Sequence, residues 1–403
     1  MALLVIHVRM IVLLKRSHRK FGYHLRQLCN HRRDLSIVAD TTNITGLPRC
    51  VYLSKSNNIF ENLALEDWIY ENTDFEKQNV LLLWRNEPTV VVGRHQNPWK
   101  ECNVFKLQNL SVHLARRKSG GGTVYHDLGN LNCTFFTTKT QYNRDRNLLL
   151  VAKAVNQRWG LDLAINERDD IVMNGKYKVS GTAAKLGRKS AYHHFTLLYN
   201  TNLDRVHQLL HIHKADINST ATDSVKSSVQ NLCCVEPSID FESLTEAVAR
   251  EYLHNAQQQE NITELDPTDE SRFPGIEKIR ESLENWQWVY GKTPAFHIQR
   301  TRWIEINEKP CQITLNIHFS KGSISDVKFE SPEIQISQEF KDIFLKYFKG
   351  VRMRREDLEV AIDNFQTSGP FHRSSSLSQF IVSVLLDTLT DRTAVDVDEV
   401  EVL

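Results

Sequence analysis

Three consecutive glycines, Gly120–Gly122, constrain this 403-residue chain more than any other feature of its sequence. Glycine has no Cβ atom, so a loop of glycines lets the backbone approach a ligand closely. The free N–H groups of such a loop can form a concave site for a phosphate or another anion. Arg116, Arg117 and Lys118 stand just before the glycines and add charge that an anion complements. The P-loop and dinucleotide-binding patterns, which would support a phosphate site, are both missing. The alternative interpretation of the glycines is therefore a flexible turn.

A lysine on a predicted hairpin is the second candidate for chemistry. Asn174-Gly175 is the strongest two-residue turn signal, so Asp170–Ser180 is predicted to form a hairpin. Lys178 lies on its second strand, beside the small residues of positions 180–183. A positive charge there would stabilise the oxyanion that develops when an acyl carbonyl is attacked. The alternative is a surface lysine without a catalytic role.

Apolar residues at helical spacing, and in short β-branched runs, predict an α+β chain. Asn57–Asn58 is predicted to cap the first helix, and Gly160 is the predicted end of another. The polar segment Gln257–Pro274 is the best candidate for a linker between a larger and a smaller α+β part. The other predicted elements are strands Val80–Trp84, Thr89–Gly93, Phe195–Tyr199, Phe296–Ile306, Gln312–Phe319 and Ile324–Phe329, and helices Leu148–Trp159, Leu244–Ala256, 337–348 and 355–364.

The two ends of the chain differ in charge from the rest. Residues 1–33 contain eight Lys and Arg and no acid, although the whole chain is nearly neutral, with 50 Lys+Arg and 49 Asp+Glu. Interspersed Leu, Ile and Val make this segment typical of a mitochondrial transit peptide, with a basic arm as the alternative. We therefore expect a transit peptide over residues 1–44 and a location in the mitochondrial matrix. Residues 391–403 are expected to form a solvated acidic tail.

Other signals argue against several classes of partner. The seven cysteines show no paired spacing, which fits neither a disulfide framework nor a zinc site, and Cys133 is expected in the core rather than in a thioester. His207, His211 and His213 have helical spacing, but no carboxylate or thiolate completes a metal set. The basic cluster before the glycines is too short for nucleic acid. No apolar run reaches the ~20 residues of a membrane span. A monomer without metal, nucleic acid or membrane partner is expected.

Several blocks of the sequence, taken in order, resemble the lipoate–protein ligase family. The resemblance covers residues 52–260 and extends to a smaller accessory domain through Trp286–Pro294. The segment Asp266–Gly275 is most similar to the animal mitochondrial members of that family. The blocks that carry the resemblance are Trp84–Asn86, Thr89–Arg94, Gln96–Asn103, Arg116–Phe135, Arg168–Ala183 and His193–Leu198.

The resemblance implies a fold and a domain organisation. The catalytic domain, over residues 48–260, would be α+β and similar to class II synthetases, biotin ligases and lipoate ligases. Residues 261–275 would form the linker, and residues 276–390 a smaller α+β accessory domain.

The resemblance also implies roles for particular residues. The glycine loop would hold the α-phosphate of an acyl-adenylate, and Lys178 would be catalytic, contacting both the acyl carbonyl and the phosphate. Asp170 is a candidate base for the incoming amine. Val90–Val92 and Phe135–Phe136 are candidate walls for the acyl chain. The residues implied to bind lipoyl-AMP are Arg117, Gly120, Gly121, Gly122, Tyr125, Arg168, Asp170, Lys178, Thr196, Thr220 and Ala221.

The activity implied is lipoyl transfer. A lipoyl or octanoyl group would move from lipoyl-AMP, or from a lipoylated glycine cleavage H protein, onto the lipoyl domains of 2-oxoacid dehydrogenase E2 subunits. No permanently bound cofactor is implied. Asp169 and Phe195 replace an Asn and a Gly of the bacterial pattern, which predicts that activation of free lipoate by ATP is lost. The alternatives are a complete ligase that uses Mg-ATP and a non-catalytic binder of lipoyl domains.

Overall fold

The computed structural model describes residues 47–210, 217–225, 227–254, 262–306, 308–368 and 376–387. The predicted transit peptide over residues 1–44 and the predicted acidic tail over residues 391–403 lie outside these ranges. Within them, no helix is long and apolar enough to cross a membrane.

A six-stranded sheet forms the centre of the larger part of the chain. The strand Arg49–Ser54 pairs in parallel with both of its neighbours, whereas the other neighbouring strands run antiparallel. In spatial order the strands are β10 (Ser180–Leu186), β11 (Ser190–Leu198), β6 (Asn130–Thr138), β2 (Asn79–Trp84), β1 (Arg49–Ser54) and β13 (Ile262–Leu265).

Helices cover both faces of this sheet, which explains why β2 is apolar throughout. Leu81 and Leu83 pack on one face, and Val80 and Leu82 on the other. One face carries α4 (Arg144–Trp159) and α6 (Phe241–Leu253), and the other carries α1 (Ile59–Asn72) and α7 (Ile276–Glu284). The shorter helices of this part are α2 (Pro98–Glu101), α3 (Val104–Asn109) and α5 (Leu203–Leu210).

The predicted helix boundaries are confirmed where a local signal existed. The Asn58 side chain accepts hydrogen bonds from the N–H groups of Phe60 and Glu61 and so caps α1. Gly160 ends α4 in the left-handed conformation, at φ +70°. The α4 helix begins at Arg144, one turn before the predicted start, because Asn143 caps it.

Two three-stranded sheets carry the segments with candidate chemistry. The predicted hairpin is confirmed: Ile171–Met173 and Tyr177–Lys178 pair antiparallel, and Asn174 and Gly175 both have positive φ. The predicted strands on either side of Asn86–Pro88 are also present, but they belong to different sheets. The small sheets are β4 (His113–Arg116), β3 (Thr89–Val92) and β5 (Val124–His126), and β7 (Leu163–Ile165), β8 (Ile171–Met173) and β9 (Tyr177–Lys178).

The predicted linker contains regular structure. Ile262–Leu265 forms β13, which pairs with β1 at the edge of the central sheet. Further on, Phe273 is buried, and Pro274 accepts a hydrogen bond from Trp68 Nε1 (3.1 Å). The described part of the segment therefore packs against the larger part of the chain.

The smaller part of the chain is also α+β and takes one strand from the larger part. Ile217–Ser219 forms β12 and pairs with Phe296–Ile298, so this accessory sheet includes residues from before the predicted boundary at 260. One core runs from the accessory strands into the small sheet behind the glycine loop. The other elements are α8 (Trp286–Val289), β14 (Phe296–Ile306), β15 (Lys309–Ser320), β16 (Ser323–Glu330), α9 (Gln338–Phe348), α10 (Arg355–Ser368) and α11 (Ser376–Asp387).

Candidate active site

The glycine loop connects β4 to β5 and lies close to the end of β3. Gly121 has φ +84°, a conformation that side chains with a Cβ rarely adopt. A Cβ placed on Gly93 would lie 2.2 Å from the carbonyl oxygen of Gly121. Both glycines are therefore required by the backbone of the loop rather than by flexibility.

Arg117 braces this loop from inside. Its Nη2 donates to the carbonyl oxygens of Gly120 and Gly122, each at 2.6 Å. Its Nη1 donates to Val91 O (3.0 Å) and its Nε to Ser119 Oγ (3.0 Å). Burial lowers the pKa of Arg117 to about 10, so the guanidinium is charged at neutral pH. Most of its donors hold the loop in shape.

Lys178 is held in place by its side chain and by its backbone. Its Nζ lies 2.8 Å from Asp170 Oδ1, and the Asp170 side chain is only 6% exposed. Its N–H donates to Ser228 O (3.0 Å), and its carbonyl accepts from Gln230 N–H (3.1 Å). The hairpin thus brings the predicted catalytic lysine and the candidate base into one ion pair.

A cavity of about 370 Å³ brings together most of the predicted site residues. It lies between the glycine loop, the hairpin and β11. The predicted residues that line it are Arg117, Gly121, Gly122, Arg168, Asp170, Lys178 and Thr196.

A second cavity of about 170 Å³ adjoins the first and is lined by Tyr125. Lys178 and Thr196 line both cavities, so the lysine lies where they meet. Gly120, Thr220 and Ala221 line neither. The nearby segment that does line the first cavity is 222–225.

Sequence reasoning missed the residues that attach this segment to the glycine loop. Gln96 Nε2 donates to Ser224 Oγ (3.0 Å), and Gln96 Oε1 accepts from Thr123 Oγ1 (2.8 Å). The N–H of Thr123 also donates to Ser224 Oγ (2.9 Å). Lys100 forms an ion pair with Asp223 (2.8 Å). Gln96 lies in a block that carries the family resemblance, and this block was the sequence signal that could have pointed to its role.

Positive charge predominates around the larger cavity. Its lining includes the acidic residues Asp170 and Asp223. His126 contributes a neutral ring, because burial lowers its pKa to about 3 and Asn86 Nδ2 donates to its Nδ1 (2.8 Å). The lining cations are Arg117, Arg144, Arg168 and Lys178. Such a lining suits a ligand that carries a phosphate or carboxylate.

The two departures from the bacterial pattern both lie at this cavity. Asp169, in the left-handed region at φ +59°, forms an ion pair with the cavity-lining Arg144 (3.0 Å). Phe195 is a buried residue of the cavity wall and stacks on Phe135 at 5.9 Å between ring centroids. One departure adds a carboxylate beside a lining cation, and the other adds a large apolar side chain.

The apolar part of the wall differs from the predicted one. Val91 lines the cavity, whereas Val90 and Val92 pack in the core shared with the accessory part. Phe135 and Phe136 line a separate surface pocket. Leu63, Trp84, Val91, Val124 and Phe195 supply the observed apolar lining.

Cys133 and His193 lie outside both cavities, in environments that belong to the fold rather than to a reactive or metal-binding site. Cys133 is fully buried in the core, where burial raises the pKa of its thiol, and no disulfide joins the described cysteines. His193 is hydrogen-bonded to Thr182 Oγ1 (2.6 Å). Across the described ranges, no group of three or more His, Cys, Asp or Glu is arranged to hold a metal. His211 and His213 lie outside the described residues.

Replacing Gly93 with alanine should disrupt the glycine loop. The added methyl group meets a backbone carbonyl, so the loop has to move, which we expect to cost about 1–3 kcal/mol in the free energy of unfolding. Gly120→Ala is the matched control, since a Cβ there meets no atom within 4 Å and should change this free energy by less than about 0.5 kcal/mol. Urea unfolding of both variants measures the difference. Equal unfolding midpoints would contradict the close approach of Gly93 to Gly121.

The fold and the site thus define an α+β protein with a cation-rich cavity beside a glycine loop and a Lys–Asp ion pair whose carboxylate is buried. A family model of the lipoyl protein ligase A/B catalytic domain matches residues 58–253. The mitochondrial lipoyl amidotransferase LIPT1 of Homo sapiens is 43% identical over 290 residues, which are 72% of this chain and 78% of the human protein. Lipoate-protein ligase A of Psychrobacter cryohalolentis is 33% identical over 322 residues, which are 79% of this chain and 92% of the bacterial protein. The chain belongs to the lipoate–protein ligase family.

A solved structure is similar over most of the chain. LipL1 of P. falciparum, solved in complex with lipoate, matches with a TM-score of 0.53 and 25% sequence identity. The match covers 84% of this chain and 99% of the LipL1 chain. The predicted α+β, lipoate ligase-like fold is confirmed.

Proposed function

We propose that the protein is a lipoyl amidotransferase that moves a lipoyl group from lipoyl-AMP onto a lysine of an acceptor protein. The observation that carries this proposal is the position of Lys178. It lies where two cavities meet, is held by Asp170 at 2.8 Å, and shares the larger cavity with the glycine loop. Family membership supports the same activity, since the human relative is named a lipoyl amidotransferase.

The reaction needs a stabilising charge more than a protein nucleophile. The ε-amine of the acceptor lysine attacks the acyl carbonyl of lipoyl-AMP, and a C–N bond forms. The acyl C–O bond to phosphate then breaks, AMP departs with the bonding electrons, and the amine loses a proton. The ammonium group of Lys178, which Asp170 holds in place at 2.8 Å, stabilises the oxyanion and the departing phosphate. We assign Asp170 two roles: it holds Lys178, and it accepts the proton that the attacking amine loses.

The donor is proposed to be already activated. Activation from free lipoate requires a site for the triphosphate of ATP as well as for the acyl group. Arg144 lines the cavity, but it already forms an ion pair with Asp169 and is less available to a phosphate. Phe195 places a large side chain in the cavity wall where the bacterial pattern has glycine. Both features disfavour a triphosphate and leave the other lining cations for a monophosphate.

A complete ligase that uses Mg-ATP is the second candidate. The bacterial relative at 33% identity is named a lipoate-protein ligase, and the excess of cations in the cavity lining also suits a nucleotide triphosphate. A non-catalytic binder of lipoyl domains is disfavoured, because the Lys178–Asp170 pair is intact.

The partners and the location are proposed from the same family. The acceptors would be lipoyl domains of 2-oxoacid dehydrogenase E2 subunits, and a lipoylated glycine cleavage H protein would be a further donor. The human relative is named mitochondrial, and the basic acid-free segment over residues 1–33 supports import, with the matrix as the destination. A monomer without a resident cofactor suffices for this chemistry.

The donor is tested by offering three of them in parallel. The full chain is incubated with an unlipoylated lipoyl domain and lipoate plus Mg-ATP, preformed lipoyl-AMP, or a lipoylated H protein. Intact mass spectrometry of the acceptor measures lipoylation. We expect product from lipoyl-AMP and none above background from lipoate plus Mg-ATP.

The outcomes separate the candidates. Product from lipoate and Mg-ATP would establish the ligase and overturn the interpretation of Asp169 and Phe195. Product from the H protein would identify it as a direct donor. No product from any donor would contradict the proposed function.

A further inference from the structure

A buried carboxylate lies behind the active site and takes no part in the mechanism above. Glu66, on α1, has a side chain that is 1% exposed. Its Oε1 accepts from His194 Nδ1 (2.8 Å) and from Thr134 Oγ1 (2.8 Å). Burial raises the pKa of Glu66, but the His194 ring and these hydrogen bonds outweigh it and hold that pKa below its usual value. The group is therefore an ionised carboxylate within the protein interior.

The hydrogen bonds continue from Glu66 to the glycine loop. The other ring nitrogen of His194, Nε2, lies 2.7 Å from Ser119 Oγ, and Ser119 Oγ accepts from Arg117 Nε (3.0 Å). A guanidinium only donates, so the Ser119 hydroxyl has its own hydrogen available for His194. The hydrogen bonds therefore form one continuous chain from Arg117 through Ser119 and His194 to Glu66.

We propose that Glu66 and His194 are positioning residues for lipoyl transfer, which they serve by fixing Arg117 and, through it, the glycine loop. The inference rests on the proposed function. Arg117 donates to the carbonyls of Gly120 and Gly122, so a rotation of its guanidinium would rotate the peptide groups of the loop. Those peptides carry the N–H groups that would face the phosphate. His194 and Arg117 also line the larger cavity. We call the chain of hydrogen bonds from Arg117 through Ser119 and His194 to Glu66 the relay.

The location of the relay argues for more than a contribution to stability. Replacing a buried ionic network by apolar residues of similar size is often neutral or stabilising. In this protein the Glu66 end of the relay lies beside an apolar core that includes Leu63, Phe136 and Tyr192. The other acceptors of the Arg117 guanidinium are Val91 O on β3 and the loop carbonyls, and the loop carbonyls give it no support from outside the loop. Glu66 and His194 are anchored in α1 and β11 instead.

A double-mutant cycle tests whether the effect passes through Ser119. Full-chain Glu66→Gln, Ser119→Ala and the double variant are assayed with lipoyl-AMP and a lipoyl domain, and kcat and KM are measured separately. We expect each single variant to lower kcat by about tenfold or more, with a smaller change in the KM for the acceptor. The double variant should resemble the worse single variant, since either change interrupts the same chain of bonds. Multiplicative losses would overturn the proposal.

Two further variants keep the test decisive. Glu71→Gln makes the same chemical change at an exposed position of the same helix and should retain the wild-type kcat. Where Glu66→Gln does not fold, His194→Asn replaces it, because asparagine can still meet Glu66 but has no atom in place of Nε2. A wild-type kcat for the folded variant would contradict the relay alone. A wild-type protein that transfers from no donor would contradict the proposed function and the relay together.

Discussion

Replacing Lys178 with alanine should lower kcat for lipoyl transfer from lipoyl-AMP by at least about a hundredfold. Among the described residues, Lys178 is the only charged one that lines both cavities, and no other lysine lines either of them. Without it, the oxyanion and the departing phosphate lose a preorganised partner. The measurement is a rate of acceptor lipoylation at saturating lipoyl-AMP, followed by intact mass.

The control for this variant is Lys176→Ala. Lys176 lies on the same hairpin but is exposed, and its ammonium lies over the Tyr177 ring. It should retain the wild-type kcat. Asp170 loses its ion-pair partner in Lys178→Ala, so circular dichroism and urea unfolding must show that the variant is folded. A folded Lys178→Ala protein with the wild-type rate would contradict the mechanism.

Replacing Arg116 with methionine should lower the free energy of unfolding by about 3–5 kcal/mol. The guanidinium is fully buried and joins the accessory part to the catalytic part: Nε donates to Val289 O (2.8 Å) and Nη2 to Thr293 Oγ1 (3.0 Å). Its Nη1 donates to the carbonyls of Gly93, Arg94 and Gln96. Methionine fills much of the space but leaves all five acceptors without this donor.

Urea or thermal unfolding of the full chain measures this loss. Arg94→Met is the matched control, because Arg94 is exposed and its replacement should change the free energy by less than about 0.5 kcal/mol. Burial lowers the pKa of Arg116 to about 10, so it is charged at neutral pH and the loss should be similar from pH 6 to pH 8. An unfolding midpoint equal to that of the wild type would contradict the bridging role of Arg116.

Local sequence signals predicted the elements whose cause is local. The Asn58 cap, the Gly160 helix end and the Asn174-Gly175 turn each depend on a few neighbouring residues. The Lys178–Asp170 pair also belongs to this class, since one hairpin carries both residues. Its position next to the glycine loop came from the family resemblance, because no local rule places two distant loops together.

Contacts between distant segments could not be read from the sequence. The Thr123–Ser224 and His194–Glu66 hydrogen bonds join residues more than 100 positions apart. The β13 strand was missed for a different reason: it is a four-residue edge strand in which only Leu265 is buried, so it has no apolar pattern. The accessory sheet was likewise placed one strand short, because β12 is only three residues long.

Amide formation between a lipoyl group and an acceptor lysine is the reaction proposed for this chain. Intact mass measures it on a lipoyl domain incubated with the full chain and lipoyl-AMP, beside the same domain with its acceptor lysine changed to arginine. We expect one added lipoyl group on the unsubstituted domain and none on the arginine variant. An unsubstituted domain that stays unmodified, while wild-type protein is folded and lipoyl-AMP is intact, would contradict the proposed reaction.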